Sequence, residues 1–195
     1  MSHYFIEDEK LEHHLEEFTY YFGSRRFRFQ SDAGTFSPGH VDSATDLLLH
    51  QLPPLSGRVL DLGCGWGPVG TVVGALYAGQ VHITMSDVNG RALALAECNS
   101  RANGVEAACV LSDGFANLEG HFDAVILNPP IHAGKEVVFS LYEGAWDHLR
   151  DGGRLFVVIQ KKHGAESTLT KLQELFGSVE IRYKKKGVYV LEARK

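Results

Sequence analysis

Residues 59–70 read VLDLGCGWGPVG. A short run, Val59 to Leu62, gives way to glycine at every second position, Gly63, Gly65 and Gly67, and Pro68 then opens a stretch of helical character. Proline is tolerated in the first helical turn, where an N–H would have no partner anyway. Strand, glycine turn and helix in that order make the start of a β-α-β unit. Glycines at such a turn permit sharp backbone angles and let a ligand approach main-chain amides with no Cβ in the way.

The alternation continues outward from this point. Strands are expected over 58–62, 81–87, 107–111, 122–127 and 152–160, with helices over 68–78, 90–104, 135–149 and 165–177. Residues 151–153, DGG, read as a tight turn before the last of these strands, and residues 180–194 as a closing hairpin. Strands alternating with helices of this length form parallel units with right-handed crossovers and helices on both faces. The expected fold is α/β: a doubly wound, mostly parallel, Rossmann-like sheet with an antiparallel C-terminal hairpin and a short N-terminal appendage. Residues 1–40 are expected to form that extension, with a charged helix over 7–17 and a hairpin about Gly23-Ser24. Residues 41–195 are the domain proper, led by an amphipathic helix within 40–52 capped near Asp42 or Ser43.

Composition narrows the function class. At 195 residues, with 44% hydrophobic and 22% charged residues, the chain suits one soluble domain. No run approaches a membrane span, and the N-terminus, MSHYFIEDEK, is too acidic for a signal or transit peptide, so a cytoplasmic location is expected and no membrane partner. Cys64, Cys98 and Cys109 form no C-x-x-C pair, and ten histidines contain no H-E-x-x-H, so no metal site is expected; His13-His14 reads as solvated surface. Net charge is −5. Acids crowd the N-terminal end, from Glu7 to Glu17, and bases collect at Lys161-Lys162-His163 and Lys184-Lys185-Lys186. Such a split can steer a nucleic acid to one face, or the lysine triplet can be a solvated turn.

The ligand is read from the residues around the glycines. The spacing Gly63-x-Gly65-x-Gly67-Pro68 departs from the dinucleotide pattern G-x-G-x-x-G. Asp61, two residues before the first glycine, suits an amino group or a cation and would repel a pyrophosphate. Asp87, ending the second strand, is placed to accept from ribose hydroxyls, with Val88 and Asn89 following it. A nucleoside without phosphate and with a cationic tail satisfies all of these, and S-adenosylmethionine (SAM) is such a molecule. Cys64 is read as a small packing residue in the loop, and Trp66 either lines the pocket or caps the next helix.

Residues 127–136, LNPPIHAGKE, follow the strand FDAVIL. Two prolines leave the loop poor in N–H donors, and the residue before a proline is held extended. The Asn128 side-chain oxygen and the Pro129 carbonyl are thus expected to face an outside donor. Together they can clamp the N–H groups of an exocyclic amine and orient its nitrogen, with no strong general base. An asparagine suits that task.

In order along the chain, VLDLGCGWG, MSDVN, LSDGF and LNPP resemble the class I SAM-dependent methyltransferases over roughly residues 32–195. The resemblance implies that the glycine loop holds the methionine part of SAM, that Asp87 holds the ribose, and that Ser112, Asp113 and Gly114 lie near the adenine. Asn128, Pro129, Pro130 and Ile131 stand where such enzymes hold an amide or exocyclic amine, although the fourth residue there is usually aromatic. SDAGTFSPGHVD together with NPPIHAGK resembles the guanine-N2 methyltransferases of small-subunit ribosomal RNA, and more closely their short single-domain bacterial relatives. That implies a segment, Phe36 to Gly39, over the pocket, with Phe36 and Ser37 near the substrate. His132 and Lys135, which follow the Asn-Pro-Pro loop, read either as groups that meet an RNA phosphate or the target base or as a surface pair at a helix start. The partner implied is RNA, ribosomal RNA or a ribosomal particle. Competing readings keep the chemistry and change the acceptor to adenine N6 or a protein amide, or keep only SAM binding on the ribosome. A nicotinamide-dependent oxidoreductase is disfavoured by the glycine spacing.

Overall fold

The structure is a computed structural model and describes residues 14–33, 35 and 37–195. An N-terminal hairpin, β1 (Leu15–Phe22) and β2 (Arg25–Asp32), precedes α1 (Ser43–Gln51). The sheet then builds from β3 (Gly57–Leu62), α2 (Pro68–Leu76), β4 (Val81–Asp87), α3 (Gly90–Ala102), β5 (Ala107–Leu111) and β6 (Phe122–Leu127). It is completed by α4 (Lys135–His148), β7 (Leu149–Gln160), α5 (Ala165–Phe176), β8 (Ser178–Lys185) and β9 (Val188–Arg194). The strand order is β5-β4-β3-β6-β7-β9-β8, parallel except that β9 runs antiparallel to β7 and β8. The doubly wound α/β expectation therefore holds, with the hairpin strand β9 inserted between β7 and the edge strand β8.

Side-chain alternation explains the two helical layers. Val59, Ile83, Ala124, Ile126 and Val158 face one core with Leu48, Val72, Val73, Leu93 and Ala96 of α1, α2 and α3. Leu60, Val125, Leu127, Leu155 and Leu191 face the other, with Val138, Tyr142, Leu172 and Phe176 of α4 and α5. Both faces of the central strands are buried, which is why FDAVIL is so nearly an unbroken apolar run. The chain leaves β3 toward β4 and β5 and returns to the far side of β3 as β6, so the winding reverses between β3 and β6. Leu62 and Leu127 are paired in register, and the glycine loop and Asn-Pro-Pro loop leave the sheet side by side. Ligands bind at such a switch point in this architecture.

Two local expectations need correction. Residues 15–17 belong to β1 and not to a helix, because Glu17 is paired with Gln30 across the hairpin and accepts from Gln30 Nε2 at 2.8 Å. The remainder of that expected helix lies outside the described residues, His14 apart. Residues 151–153 form no separate turn either. They are a bulge within β7, where Gly152 adopts φ 77° and its N–H donates to the carbonyl of Lys195.

The hairpin is fastened to the domain by two asparagines. Asn99 accepts from the Gln30 N–H at 2.8 Å and donates to the Gln30 carbonyl at 2.8 Å. Asn103 does the same for Arg28, at 3.0 and 2.7 Å. Four residues of helix advance ~6 Å and two residues of strand ~6.6 Å, so side chains at i and i+4 of the helix path match alternate residues of β2. The carboxamides thus satisfy a free strand edge that would otherwise be an unpaired donor–acceptor row. Asn99 Nδ2 also donates to the Trp66 carbonyl at 2.8 Å, and the Trp66 ring meets Phe18 and Phe29 edge-on, at 5.4 and 5.1 Å between centroids. Asn99→Ala should lower stability by about 2–4 kcal/mol, since it strands buried backbone groups of two segments, and Asn99→Asp should not rescue it. Urea unfolding measures this; a change below about 1 kcal/mol would contradict the role.

Candidate functional site

A cavity of about 450 Å³ opens at the switch point. Its wall includes Asp61, Gly63, Cys64, Gly65, Asp87, Val88, Asn89, Ser112, Asp113, Gly114 and Asn128, and also Pro129, Pro130, Ile131, Ser37 and His132. Positions scattered over the sequence thus meet in one space. Three expected residues stand differently. Gly67 is buried between α3 and β4, where an added Cβ would meet Ala96 Cβ at 2.8 Å and Met85 Sδ at 3.1 Å, so it serves helix packing and is not in the lining. Lys135 is also absent from the lining: it is exposed at the start of α4 with its ammonium 5.0 Å from the Phe139 ring centroid. Phe36 lies outside the described residues.

The glycine loop is held between two carboxylates. Asp61 Oδ2 accepts from the Gly70 N–H at 2.8 Å, and Asp87 Oδ2 accepts from the Gly65 N–H at 2.7 Å, while Asp87 Oδ1 accepts from the Asn89 N–H at 2.9 Å. Gly63 and Gly65 adopt φ 67° and 56°, and an added Cβ on either would project into open space. The close helix–strand approach falls to Gly70 as well as Gly67, since a Cβ on Gly70 would meet the Met85 side chain at 2.6 Å. Burial pushes the Asp61 carboxyl up to about 7, against the opposing Gly70 N–H and with the Asp87 charge adding to it. Asp87 is raised by burial too, opposed by the N–H groups of Asn89, Gly65 and Val88. No basic side chain among the described residues stands behind either acid to hold its charge, so a cation arriving in the cavity relieves them both. Ser86 Oγ, buried in the same wall, has no hydrogen-bond partner among the described residues. The Cys64 thiol is raised well above its ordinary value by burial and the two acids, which disfavours a thiolate and fits the packing reading.

On the β6 side, Asn128 meets α1. Asp42 caps that helix, accepting from the Ala44 N–H at 2.8 Å, and the Thr45 hydroxyl donates to Asp42 Oδ2. Asn128 Nδ2 then donates to Thr45 Oγ1 at 3.0 Å and lies 3.4 Å from Asp42 Oδ2. Because the Thr45 proton is committed to a carboxylate, its oxygen can only accept here, and the amide NH2 must face α1. Asn128 Oδ1 carries no hydrogen bond among the described residues and is the end left for a ligand. The Pro129 carbonyl, expected to be free of the fold, accepts from the Ile131 N–H at 2.9 Å, because the chain turns tightly into a 3-10 turn over Ile131–Ala133. It retains its second lone pair.

The cavity also recruits residues that carried no motif. Thr45 is one; Leu141 is another; Gln160 and His163 come from the end of β7 and the turn after it. A polar residue closing an apolar strand, as Gln160 closes GGRLFVVIQ, was the available signal, since ligands sit beyond strand ends in this fold. The segment leading into α1 is pinned by an Arg91–Asp32 ion pair of 2.6 Å, which brings Thr35 and Ser37 to the wall. Ser37 there takes φ 50° and donates to the His40 carbonyl. No group of three or more metal-ligating side chains occurs among the described residues, and none of their helices is long and apolar enough to cross a membrane.

Comparison with known proteins bears directly on this cavity. The family model described as methyltransferase small domain matches residues 26–192. YbxB of Bacillus subtilis (strain 168) is 38% identical over 199 residues, covering 100% of this chain and 98% of that one. Ribosomal RNA small subunit methyltransferase C of Pasteurella multocida is 40% identical over 137 residues, 67% of this chain and 41% of that protein. Among solved structures, the T. thermophilus 16S rRNA N2 G1207 methyltransferase (RsmC), in complex with AdoMet and guanosine, is 27% identical with a TM-score of 0.80. The match covers 93% of this chain and 50% of that one, so the chain spans about half the length of these larger relatives.

A carboxyl whose folded value lies above its unfolded one stabilises the fold below the unfolded value, and this is lost as pH rises through the folded value. For Asp61 the loss runs from about pH 4, the ordinary value, to about 7. Asp61→Asn should therefore leave the ligand-free protein more stable than its parent at pH 8, and not at pH 4. Melting temperatures across that range test this, and parallel curves would refute it.

Proposed function

The chain belongs to the methyltransferase small domain family, and from that premise we propose that it transfers the methyl group of SAM to the exocyclic N2 amine of a guanine in ribosomal RNA. It is a SAM-dependent methyltransferase. The fit of the cofactor to this chain rests on the open space over Gly63 and Gly65, the unpartnered Ser86 hydroxyl and two desolvated carboxylates facing one cavity. Asp61 suits the cationic methionine end. Asp87, whose oxygens accept from main-chain N–H groups and keep a further lone pair, suits the ribose hydroxyls. When bound, SAM supplies an electrophilic methyl carbon on a positively charged sulfur, open to in-line attack.

The chain's own part is to position a weak nucleophile. Asn128 Oδ1 accepts one N–H of the amine, and the free lone pair of Pro129 the other. The amine nitrogen gains positive charge as its bond to carbon forms and the carbon–sulfur bond breaks, both acceptors stabilise that charge, and the surplus amine proton then passes to water. Ile131 and Leu141 give the base an apolar surface, with less stacking than an aromatic ring would give. The observation that carries the reading is the orientation of Asn128, a residue of the cavity wall whose amide hydrogens are committed to Thr45 and whose oxygen has no partner among the described residues. A guanosine-holding neighbour of similar fold supports a guanine acceptor, and relatives named for small-subunit ribosomal RNA support that substrate.

The test is transfer of label from SAM to undermodified small-subunit ribosomal RNA, with the product nucleoside identified by mass spectrometry. N2-methylguanosine is expected; label in adenine or only in protein would reject the assignment. Asn128→Ala should retain SAM affinity by calorimetry and lose about a hundredfold to a thousandfold in kcat, as removal of one preorganised stabilising group does elsewhere. Thr45→Val, which lets the amide turn over, should lower kcat at unchanged SAM affinity, and Thr45→Ser should restore it. Loss in the serine variant as large as in the valine variant would leave the hydroxyl without the role assigned.

A further inference from the structure

Two lysine runs, separated in sequence by α5 and most of β8, converge beside the cavity mouth. Lys161 and Lys162 form a 3-10 turn with His163 directly after β7, and Lys184, Lys185 and Lys186 lead into the β8–β9 turn. The Lys161 N–H donates to the Gly187 carbonyl at 2.7 Å, which ties one turn to the other. Register fixes the distance to the site: Gln160 pairs with Val188, and Val188 with Lys185, so Lys185 stands two strands, ~10 Å, from a residue of the cavity wall. His163, flanked by these lysines, is itself in that wall.

One carboxylate, Glu166, lies near enough to feel the charges of Lys184 and Lys161. All five lysines are exposed, and none forms an ion pair within 4.0 Å among the described residues. Lys184 is committed elsewhere, its ammonium lying 4.7 Å from the Tyr189 ring centroid, and the neighbouring Glu166 accepts from the Tyr189 hydroxyl at 2.7 Å. Lys161, Lys162, Lys185 and Lys186 remain. Lys186 takes φ 51° at the first position of a two-residue turn completed by Gly187 at φ 75°. Asparagine or glycine occupies that position at lower conformational cost. The chain keeps a cation there against its backbone preference. The positive field reaches the mouth: His163 is held below its ordinary value by partial burial, with Lys162 and His132 adding to it.

We propose that Lys161, Lys162, Lys185 and Lys186 form a docking surface for the phosphodiester backbone of RNA next to the target base. The proposal rests on the RNA reading above and names where that substrate is held. A lysine ammonium is a compact point charge that suits phosphate without demanding a sequence. A base delivered past this rim enters the cavity at Gln160 and His163, beyond the end of β7, the strand paired with β6 that leads into Asn128.

The experiment measures binding and transfer separately. A fluorescent single-stranded RNA is titrated with the parent protein and with K161A/K162A/K185A/K186N at several salt concentrations, and SAM affinity is measured for each protein. The variant should bind RNA at least tenfold more weakly in about 0.1 M salt, with the slope of log affinity against log salt reduced by ~0.7 for each phosphate no longer neutralised, at unchanged SAM affinity. K186N alone should raise thermal stability while weakening RNA binding, an outcome that a purely structural turn residue would not give. A smaller fall in affinity, an unaltered slope, or a parent protein that does not bind RNA overturns the proposal. A parent protein that methylates guanine while the variant binds RNA equally well overturns this surface and leaves the proposed reaction standing. Weakened RNA binding in the variant, with methyl transfer found only on adenine, overturns the guanine assignment and leaves the surface standing.

Discussion

The Asn128 amide can face only one way, and much of the site depends on that. A carboxamide has two nearly equal ends, and a loop built from prolines has few groups with which to choose between them. The choice is made from α1: Asp42 takes the Thr45 proton, and Thr45 is left as an acceptor for the Asn128 NH2. The same carboxylate caps the helix through the Ala44 N–H. Helix start and orientation of the Asn128 amide therefore share one carboxylate. Helix stability alone would be served as well by a serine at the cap, but a serine hydroxyl would not commit Thr45 to accept. An aspartate here answers both requirements at once.

The opposite wall is organised by cost. Two carboxylates are taken out of water with only main-chain N–H groups to hold them, and both are pushed toward protonation. Backbone hydrogen bonds favour the charged form, but here burial outweighs them. Such a pair suits a cationic ligand, whose charge would offset the cost of burying theirs. The geometry must be rigid for this to work. Trp66, gripped between the hairpin aromatics and Asn99, holds the middle of the glycine loop. The N-terminal hairpin is thus a mechanical part of the site, through a carboxamide that bridges strand, helix and loop.

Most of the fold is legible in the sequence because its central strands are buried on both faces. Residues 81–87, 107–111 and 122–127 are strands with the limits expected of them, since apolar runs bounded by glycine or polar residues leave little choice. Leu15-Glu16-Glu17 reads as helix and is strand, because pairing with β2 overrules good helix formers, and local propensity does not see so long-range a contact. The cavity lining is legible where a motif marks it and opaque where it does not. Gly67 has the spacing of a ligand-facing glycine, but its neighbour across space is Ala96, a matter of helix packing. Thr45 carries no signal because its importance lies in which atom keeps a proton, and no spacing rule encodes that. Lys135 at a helix start suggests a functional cation, yet Phe139, one turn on, gives its ammonium a resting place outside the cavity.

The distribution of charge reconciles an acidic protein with the polyanionic partner proposed for it. A net charge of −5 opposes RNA at long range. At physiological ionic strength, however, exposed charges are screened beyond ~8 Å, so a phosphate at the rim responds to the lysines beside it and scarcely to acids across the molecule. The buried carboxylates are screened less, but they lie at the floor, where the ligand expected to meet them is cationic. Positive rim and acidic floor thus suit the two halves of the proposed reaction: a phosphate-bearing acceptor entering from outside and a sulfonium donor held beneath it. A uniformly basic protein would gain RNA affinity and lose the discrimination between the two sites. The arrangement therefore needs local contrast, and the sign of the total is free to be negative.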